Sequence, residues 1–183
     1  MHFTLADLVT DITQNGCESG ASLVELEITE INKQFRFLVR DNGKGMTKEE
    51  LGRAVDPFVT DGVKHPHRKV GLGLPFLIQT AEQAGGGWDI QSEKGKGTTA
   101  AAWFDMGNVD TPPVGDLPGM FRTVLMFNGP EEIVIRRSWR REGKEPLEYE
   151  FRKSELAEAL GGFEGAGALV MLDQFLRSQE EGE

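Results

Sequence analysis

Two carboxylates, one amide and a set of spaced glycines carry most of the chemistry this sequence can offer. Asp41 follows the apolar alternation of Phe35, Phe37 and Val39 and opens the run DNGKGM, Asp41 to Met46. A strand that ends on an acceptor and two spaced glycines can receive a ligand, because Gly43 and Gly45 allow backbone conformations and close approaches closed to residues with a Cβ. An adenine pocket is one use of this run; a calcium loop or a plain surface turn is another. A second carboxylate, Asp11, stands four residues before Asn15 on a stretch with helical spacing, so both project from one stripe, with Glu18 a turn further on. The plainer reading of that stripe is a solvated helix face. A third feature is Val70-Gly71-Leu72-Gly73-Leu74-Pro75. Glycines that open a helix place free N–H groups and a positive dipole end at one spot, which favours phosphate. A tight loop packed on a sheet would use the same glycines.

Several elements must position these groups. Leu5, Leu8, Val9 and Ile12 predict a helix over Thr4 to Glu18 with Thr4 as its cap, and Gly20 ends it. Val24, Leu26 and Ile28 alternate with polar residues, turn at Asn32, and return through Phe35 to Arg40 as a hairpin that leads into Asp41. Thr47 and Glu50 form a capping box for a short helix. Asp56 to Lys69 has prolines, charges and no period, which predicts a loop. Pro75 suits the first turn of a helix running through Ala81, and Trp88 to Gln91 with Thr98 to Phe104 forms a second hairpin about Gly95-Lys96-Gly97. The reading divides the chain into a domain over 1–106, a proline-bearing linker over 107–119, a small α+β appendage over 120–178 and a disordered tail over 179–183. Within the appendage, Phe121 to Phe127, Ile133 to Arg140 and Leu147 to Phe151 read as strands, Ser154 as the cap of a helix to Leu160, and Ala166 to Arg177 as a last amphipathic helix.

At 183 residues, 38% hydrophobic and 27% charged, the chain has the make-up of a globular protein with a buried core. A net charge of −10 argues against nucleic acid and anionic membranes as partners. The one cysteine, Cys17, rules out an internal disulfide framework and reads as a small buried residue. Neither a spanning segment nor a signal peptide is visible, so a cytoplasmic location is expected. His65 and His67 lack a third ligand nearby and read as solvated loop residues. Arg136, Arg137, Arg140, Arg141 and Lys144 form a local basic run, expected to be a solvated face partly paired with Glu148 and Glu150 on the neighbouring strand.

Taken in order, LVTDITQNGCESGAS, DNGKGM, VGLGLPFL and GKGTT resemble the motifs of the ATP-binding module shared by gyrase, Bergerat-type heat-shock chaperones, histidine kinases and MutL mismatch-repair ATPases. The resemblance covers Leu5 to Phe104. It implies an α/β two-layer sandwich with helices on one face of a mixed, largely antiparallel sheet, followed by the α+β appendage. It further implies ATP and Mg²⁺ as cofactors. Asp41 would accept the adenine amine, with Gly43, Gly45 and Met46 forming the pocket and Thr98 reaching the base directly or through water. Asn15 would ligate Mg²⁺, and Gly71, Leu72 and Gly73 would meet the phosphates under a lid formed by Asp56 to Lys69, with Lys69 or Lys64 against phosphate charge. Asp11 stands where hydrolysing relatives carry a glutamate as general base. The function implied is Mg·ATP binding with slow or partner-dependent hydrolysis or phosphotransfer in a regulatory setting. The alternatives are a non-catalytic ATP sensor and a protein kinase acting in trans, similar to anti-sigma-factor kinases. ATP or ADP and a protein docking on the appendage or lid are the expected partners. A complete histidine kinase is not expected, for want of a histidine-bearing helical hairpin, nor is self-assembly through an N-terminal arm.

Overall fold

Thr4 begins the first helix as its neighbours dictate. Its hydroxyl accepts from the Asp7 amide while the Asp7 carboxylate accepts from the Thr4 amide, a reciprocal cap that satisfies donors a helix end otherwise leaves open. The computed structural model describes residues 3–58 and 73–181. Its elements are α1 (Leu5–Cys17), β1 (Leu23–Ile31), β2 (Gln34–Asp41), α2 (Lys48–Ala54), α3 (Gly73–Gln83), β3 (Gly87–Glu93), β4 (Gly97–Asp105), α4 (Leu117–Leu125), β5 (Glu132–Arg140), β6 (Leu147–Arg152), α5 (Lys153–Leu160) and α6 (Ala166–Glu180). The six strands form one sheet in the order β3-β4-β2-β1-β5-β6. Every neighbouring pair is antiparallel except β1 and β5. This is the mixed, largely antiparallel sheet that the sequence predicts.

Register fixes which side chains share the helix-covered face, because alternate residues of a strand point the same way. Ile90, Ala100, Val39, Leu26, Ile135 and Phe151 form one row across all six strands. The next is Trp88, Ala102, Phe37, Ile28, Arg137 and Tyr149. The apolar members join Leu5, Leu8 and Ile12 of α1, Leu77 and Ala81 of α3, Phe121 and Val124 of α4, and Leu172 and Leu176 of α6 in a single core. The other face carries charge: Arg136 pairs with Glu25 at 3.1 Å and Glu150 at 2.7 Å. No helix among the described residues is long and apolar enough to cross a membrane.

Five expectations differ from what is observed. Phe121 to Phe127 is not a strand; α4 occupies Leu117–Leu125, with Asp116 accepting from the Gly119 amide as its cap. Leu117, Met120, Phe121, Val124 and Leu125 are the buried stripe, at helical spacing, and α4 lies between α1 and α6. The 107–119 stretch packs rather than links, since Pro113 O and Val114 O accept from the Leu5 and Ala6 amides at the head of α1. Residues 120–178 do not stand apart as an appendage: β5 lies along the whole of β1, and α4 and α6 share the core of the first hundred residues. Ser154 does not cap α5, which Arg152 precedes; its amide and hydroxyl both donate to Glu132. Finally, α6 continues to Glu180, so the start of the expected tail is helical.

Candidate functional site

One corner of the covered face breaks the apolar pattern. Ser92 on β3, Thr98 on β4 and Asp41 on β2 are successive register partners, so three polar side chains stand in a row where the adjacent row is Ile90, Ala100 and Val39. Asp41 is buried, at 9% exposure. Its Oδ1 accepts from the Gly43 amide at 2.9 Å and from the Ser19 hydroxyl at 3.2 Å. Ser19 in turn lies one turn past Gly16, whose carbonyl its hydroxyl also reaches at 2.6 Å. Helix α1 crosses Asp41 at Gly16, where a Cβ would stand 3.6 Å from Asp41 Oδ2. The helix backbone thus passes the second carboxylate oxygen at van der Waals range.

The loop after Asp41 is held on both sides. A Cβ on Gly43 would overlap Ser19, at 2.0 Å from its Oγ. Gly45 has φ of +63°, and a Cβ there would sit 1.9 Å from the Glu93 carbonyl oxygen. Lys44 donates its amide to Ser19 O at 3.0 Å and accepts from the Gly95 amide at 2.7 Å, so the loop is sewn between α1 and the β3–β4 turn. The Met46 amide donates to Ser92 Oγ at 2.8 Å. Just beyond, the capping box of Thr47 and Glu50 starts α2, and Lys94 of the same turn donates to Glu50 at 3.0 Å. Asn42 closes the base of the loop by accepting from the Ser22 and Leu23 amides.

The α1 residues reach a second boundary. Asn15 is exposed, and its Nδ2 lies 3.3 Å from where a Cβ of Gly73 would be, with Ile12 close by. The first residue of α3 therefore abuts Asn15, and the two helices flank the corner that Asp41 occupies. Asp11 is exposed one turn before Asn15. Asp41, Gly43, Gly45, Met46 and Thr98 are thus gathered in one neighbourhood and Asn15 and Gly73 at its rim. Lys69, Gly71 and Leu72, together with Lys64, His65 and His67, lie outside the described residues. Ser19, Gly16 and Ser92 were missed from sequence; the spacing of Ser19 beyond the Asp11 and Asn15 stripe was the only signal for one of them.

A cavity of about 420 Å³ touches Asp41 and Thr98 from the opposite side of the sheet. Its walls include Leu23, Glu25, Arg40, Gln91 and Thr99, and nothing of α1 or α3. Gly16 meets Asp41 from the covered face instead, with Asn15 and Gly73 in contact beside it, and this helix side of Asp41 is the candidate groove. Cys17, buried beneath this end of α1, has its thiol pushed up to about 11 by burial, with only partial relief from Lys153.

The donor set suits a nucleotide. A carboxylate oxygen without a protein donor in a buried corner can accept an exocyclic amine, and the glycines let the loop beside it pack closely on Ser19 and the Glu93 carbonyl. A hard dication bound mainly by phosphates and waters needs only one protein oxygen of the kind Asn15 offers, and no cluster of three or more His, Cys, Asp or Glu among the described residues competes for it. Residues 3–108 match the family model described as histidine kinase-, DNA gyrase B-, and HSP90-like ATPase. The chain belongs to that family of ATP-binding kinase and ATPase domains. Among its relatives, it is 27% identical over 93 residues to the sensor histidine kinase ZraS of Escherichia coli, covering 51% of this chain and 19% of that protein. It is 29% identical over 96 residues to sporulation kinase C of Bacillus subtilis, covering 51% and 22%. A shorter stretch of 58 residues is 33% identical to the DNA mismatch repair protein MutL of Vibrio parahaemolyticus, covering 32% and 8%. The matched stretches therefore span less than a quarter of these relatives.

Proposed function

We propose that the chain binds Mg·ATP between α1, α3 and the Asp41 loop, with slow or partner-dependent hydrolysis or phosphotransfer in a regulatory setting. The observation that carries this reading is the polar row Ser92, Thr98 and Asp41, passed at close range by Gly16 of α1, beside a loop whose glycines let it pack tightly on Ser19 and the Glu93 carbonyl. Asp41 Oδ2 accepts the adenine amine while Gly43 and Ser19 hold Oδ1. Thr98 meets the ring, Gly45 and Met46 shape the floor, and the Gly73 end of α3 lies toward the phosphates, a role that the sequence resemblance also gives to Gly71, Leu72 and Lys69. Asn15 offers its oxygen to Mg²⁺, which would neutralise phosphate charge when bound. Asp11, on the same face of α1 as Asn15, orients a water toward the terminal phosphate. Aspartate is one methylene shorter than the glutamate of hydrolysing relatives, and a misplacement of about 1 Å can cost on the order of 100-fold, which is the reason for expecting slow turnover.

Calorimetry with ATP and Mg²⁺ tests the binding, and phosphate release tests the chemistry. Wild-type protein should bind ATP and release phosphate above buffer, and Asp11→Asn should keep the first and lose the second. Binding without release in the wild type would favour the ATP sensor or a kinase acting in trans on another polypeptide, which needs only a terminal phosphate open to an incoming hydroxyl. The C-terminal strands and helices, continuous with the site through β1 and α1, are where a protein partner would read the nucleotide state.

A further inference from the structure

We propose that Ser92 is a positioning residue that sets the direction of the Thr98 hydroxyl and so takes part in reading the base. The proposal rests on the ATP reading above. Three contacts converge on the Ser92 hydroxyl: the Met46 amide donates to it at 2.8 Å, Thr98 Oγ1 lies 2.7 Å away, and the Gly97 carbonyl lies at 3.2 Å. A hydroxyl has one hydrogen and two lone pairs. The Met46 amide takes one lone pair, and the Gly97 carbonyl can only accept. Two arrangements remain. In the first, Ser92 donates to Gly97 O and Thr98 donates to Ser92; every contact is satisfied, and Thr98 turns lone pairs to the groove. In the second, Ser92 donates to Thr98 and gives up the longest of the three contacts, which frees the Thr98 hydrogen to face the groove.

These two states differ in what they offer a base. Asp41, the register neighbour of Thr98, brings carboxylate oxygens that accept. An adenine edge presents an amine hydrogen beside a ring nitrogen, so it needs an acceptor next to a donor. Only the second arrangement supplies that pair. Ser92 can provide it because it sits opposite Thr98 on β3, with the Met46 amide holding its oxygen from the adenine loop. Ser92 touches no ligand in this scheme and acts through Thr98. Loss of its hydroxyl leaves Thr98 free to spend its hydrogen elsewhere in the site.

The test is a double-mutant cycle in ATP affinity by calorimetry, using wild type, Ser92→Ala, Thr98→Val and the double variant, each checked for an intact fold by melting temperature. Ser92→Ala should weaken ATP about tenfold in the wild-type background and less than about twofold in the Thr98→Val background. Ser92→Thr, which keeps the hydroxyl, should stay within about threefold of wild type; it also preserves the test if the alanine variant does not fold. An equal loss in both backgrounds would mean that Ser92 acts only through the Met46 loop and would overturn the proposal. So would full affinity in Ser92→Ala, or a tenfold loss in Ser92→Thr. If wild-type protein bound no ATP, or Asp41→Asn bound it unchanged, the nucleotide reading itself would fall, a result separate from the cycle.

Discussion

Two polar corners interrupt the apolar face of the same sheet, and they use their hydrogen-bonding capacity in opposite ways. Arg137 lies at the β5–β6 corner with its side chain 2% exposed. Its Nε donates to Glu180 at 2.8 Å, one terminal nitrogen to Ser138 O and the other to Glu30 at 2.5 Å, and Tyr149 donates its hydroxyl to Glu180 at 2.5 Å. A buried cation is costly unless paired in this way, and these partners come from β1, β6 and the end of α6. At the Asp41 corner one carboxylate oxygen is fixed by Gly43 and Ser19, and the other accepts from no group among the described residues. A closed polar cluster ties elements together; an open one in a buried corner has capacity for a ligand. The same face thus carries a clasp at one end and, on the nucleotide reading, a receptor at the other.

Substitutions at the two ends should separate these roles. Arg137→Met should have the largest effect, a loss of about 3 kcal/mol of stability in chemical denaturation, because Glu30 and Glu180 lose their shared cation. ATP affinity in that variant should stay within about twofold at temperatures where it is folded. Asp41→Asn should do the reverse, weakening ATP by about 2 kcal/mol, or about thirtyfold by calorimetry, with little change in melting temperature. Gly45→Ala should cost on the order of 1 to 2 kcal/mol in stability and reduce ATP affinity together, since positive φ and the Glu93 carbonyl both oppose a Cβ. The smallest effect belongs to Tyr149. Burial, then its bond to Glu180, raises the phenol above its ordinary value of 10.0. A raised pKa adds stability that is whole below pH 10.0 and is lost as pH rises through the folded value. Tyr149→Phe should cost about 1 kcal/mol near neutrality and show a flatter loss of stability above that pH in urea melts. A melt in which Asp41→Asn, and not Arg137→Met, produced the large drop would undo the distinction between clasp and receptor.

Much of the Asp41 corner was legible because its residues follow one another in sequence. DNGKGM places Asp41, Gly43 and Gly45 within a single loop, and the spacing of Leu5, Leu8, Val9 and Ile12 fixes which face of α1 is buried. The clasp was not legible. Arg137 was read among Arg136, Arg140 and Arg141 as part of a solvated basic face, yet register with Ile28 turns it inward, and a parallel pairing between β1 and β5 cannot be read from either strand alone. Arg136, one residue away, does pair with Glu150 on the outer face as expected. Phe121 to Phe127 misled for a different reason: phenylalanine, valine and leucine suit strands, and only the i, i+3, i+4 recurrence from Leu117, anchored by Asp116 and Pro118, identifies a helix. Ser92 was invisible because its partners, Met46 and Thr98, meet it only after two hairpins have formed.

The seal on α1 has a consequence for how the protein is made. Its first amides are covered by Pro113 and Val114, and the free side of β1 is completed by β5. During synthesis the Asp41 loop and both early hairpins emerge from the ribosome well before these parts do. Until then the helix bearing Asp11 and Asn15 has an open head, and β1 is a bare edge available to other chains. A nascent chain stalled near residue 108, where the family match ends, would hold the binding motifs in an unfinished frame. The residues after 108 would therefore complete the frame, and chaperone demand should peak just before β5 appears.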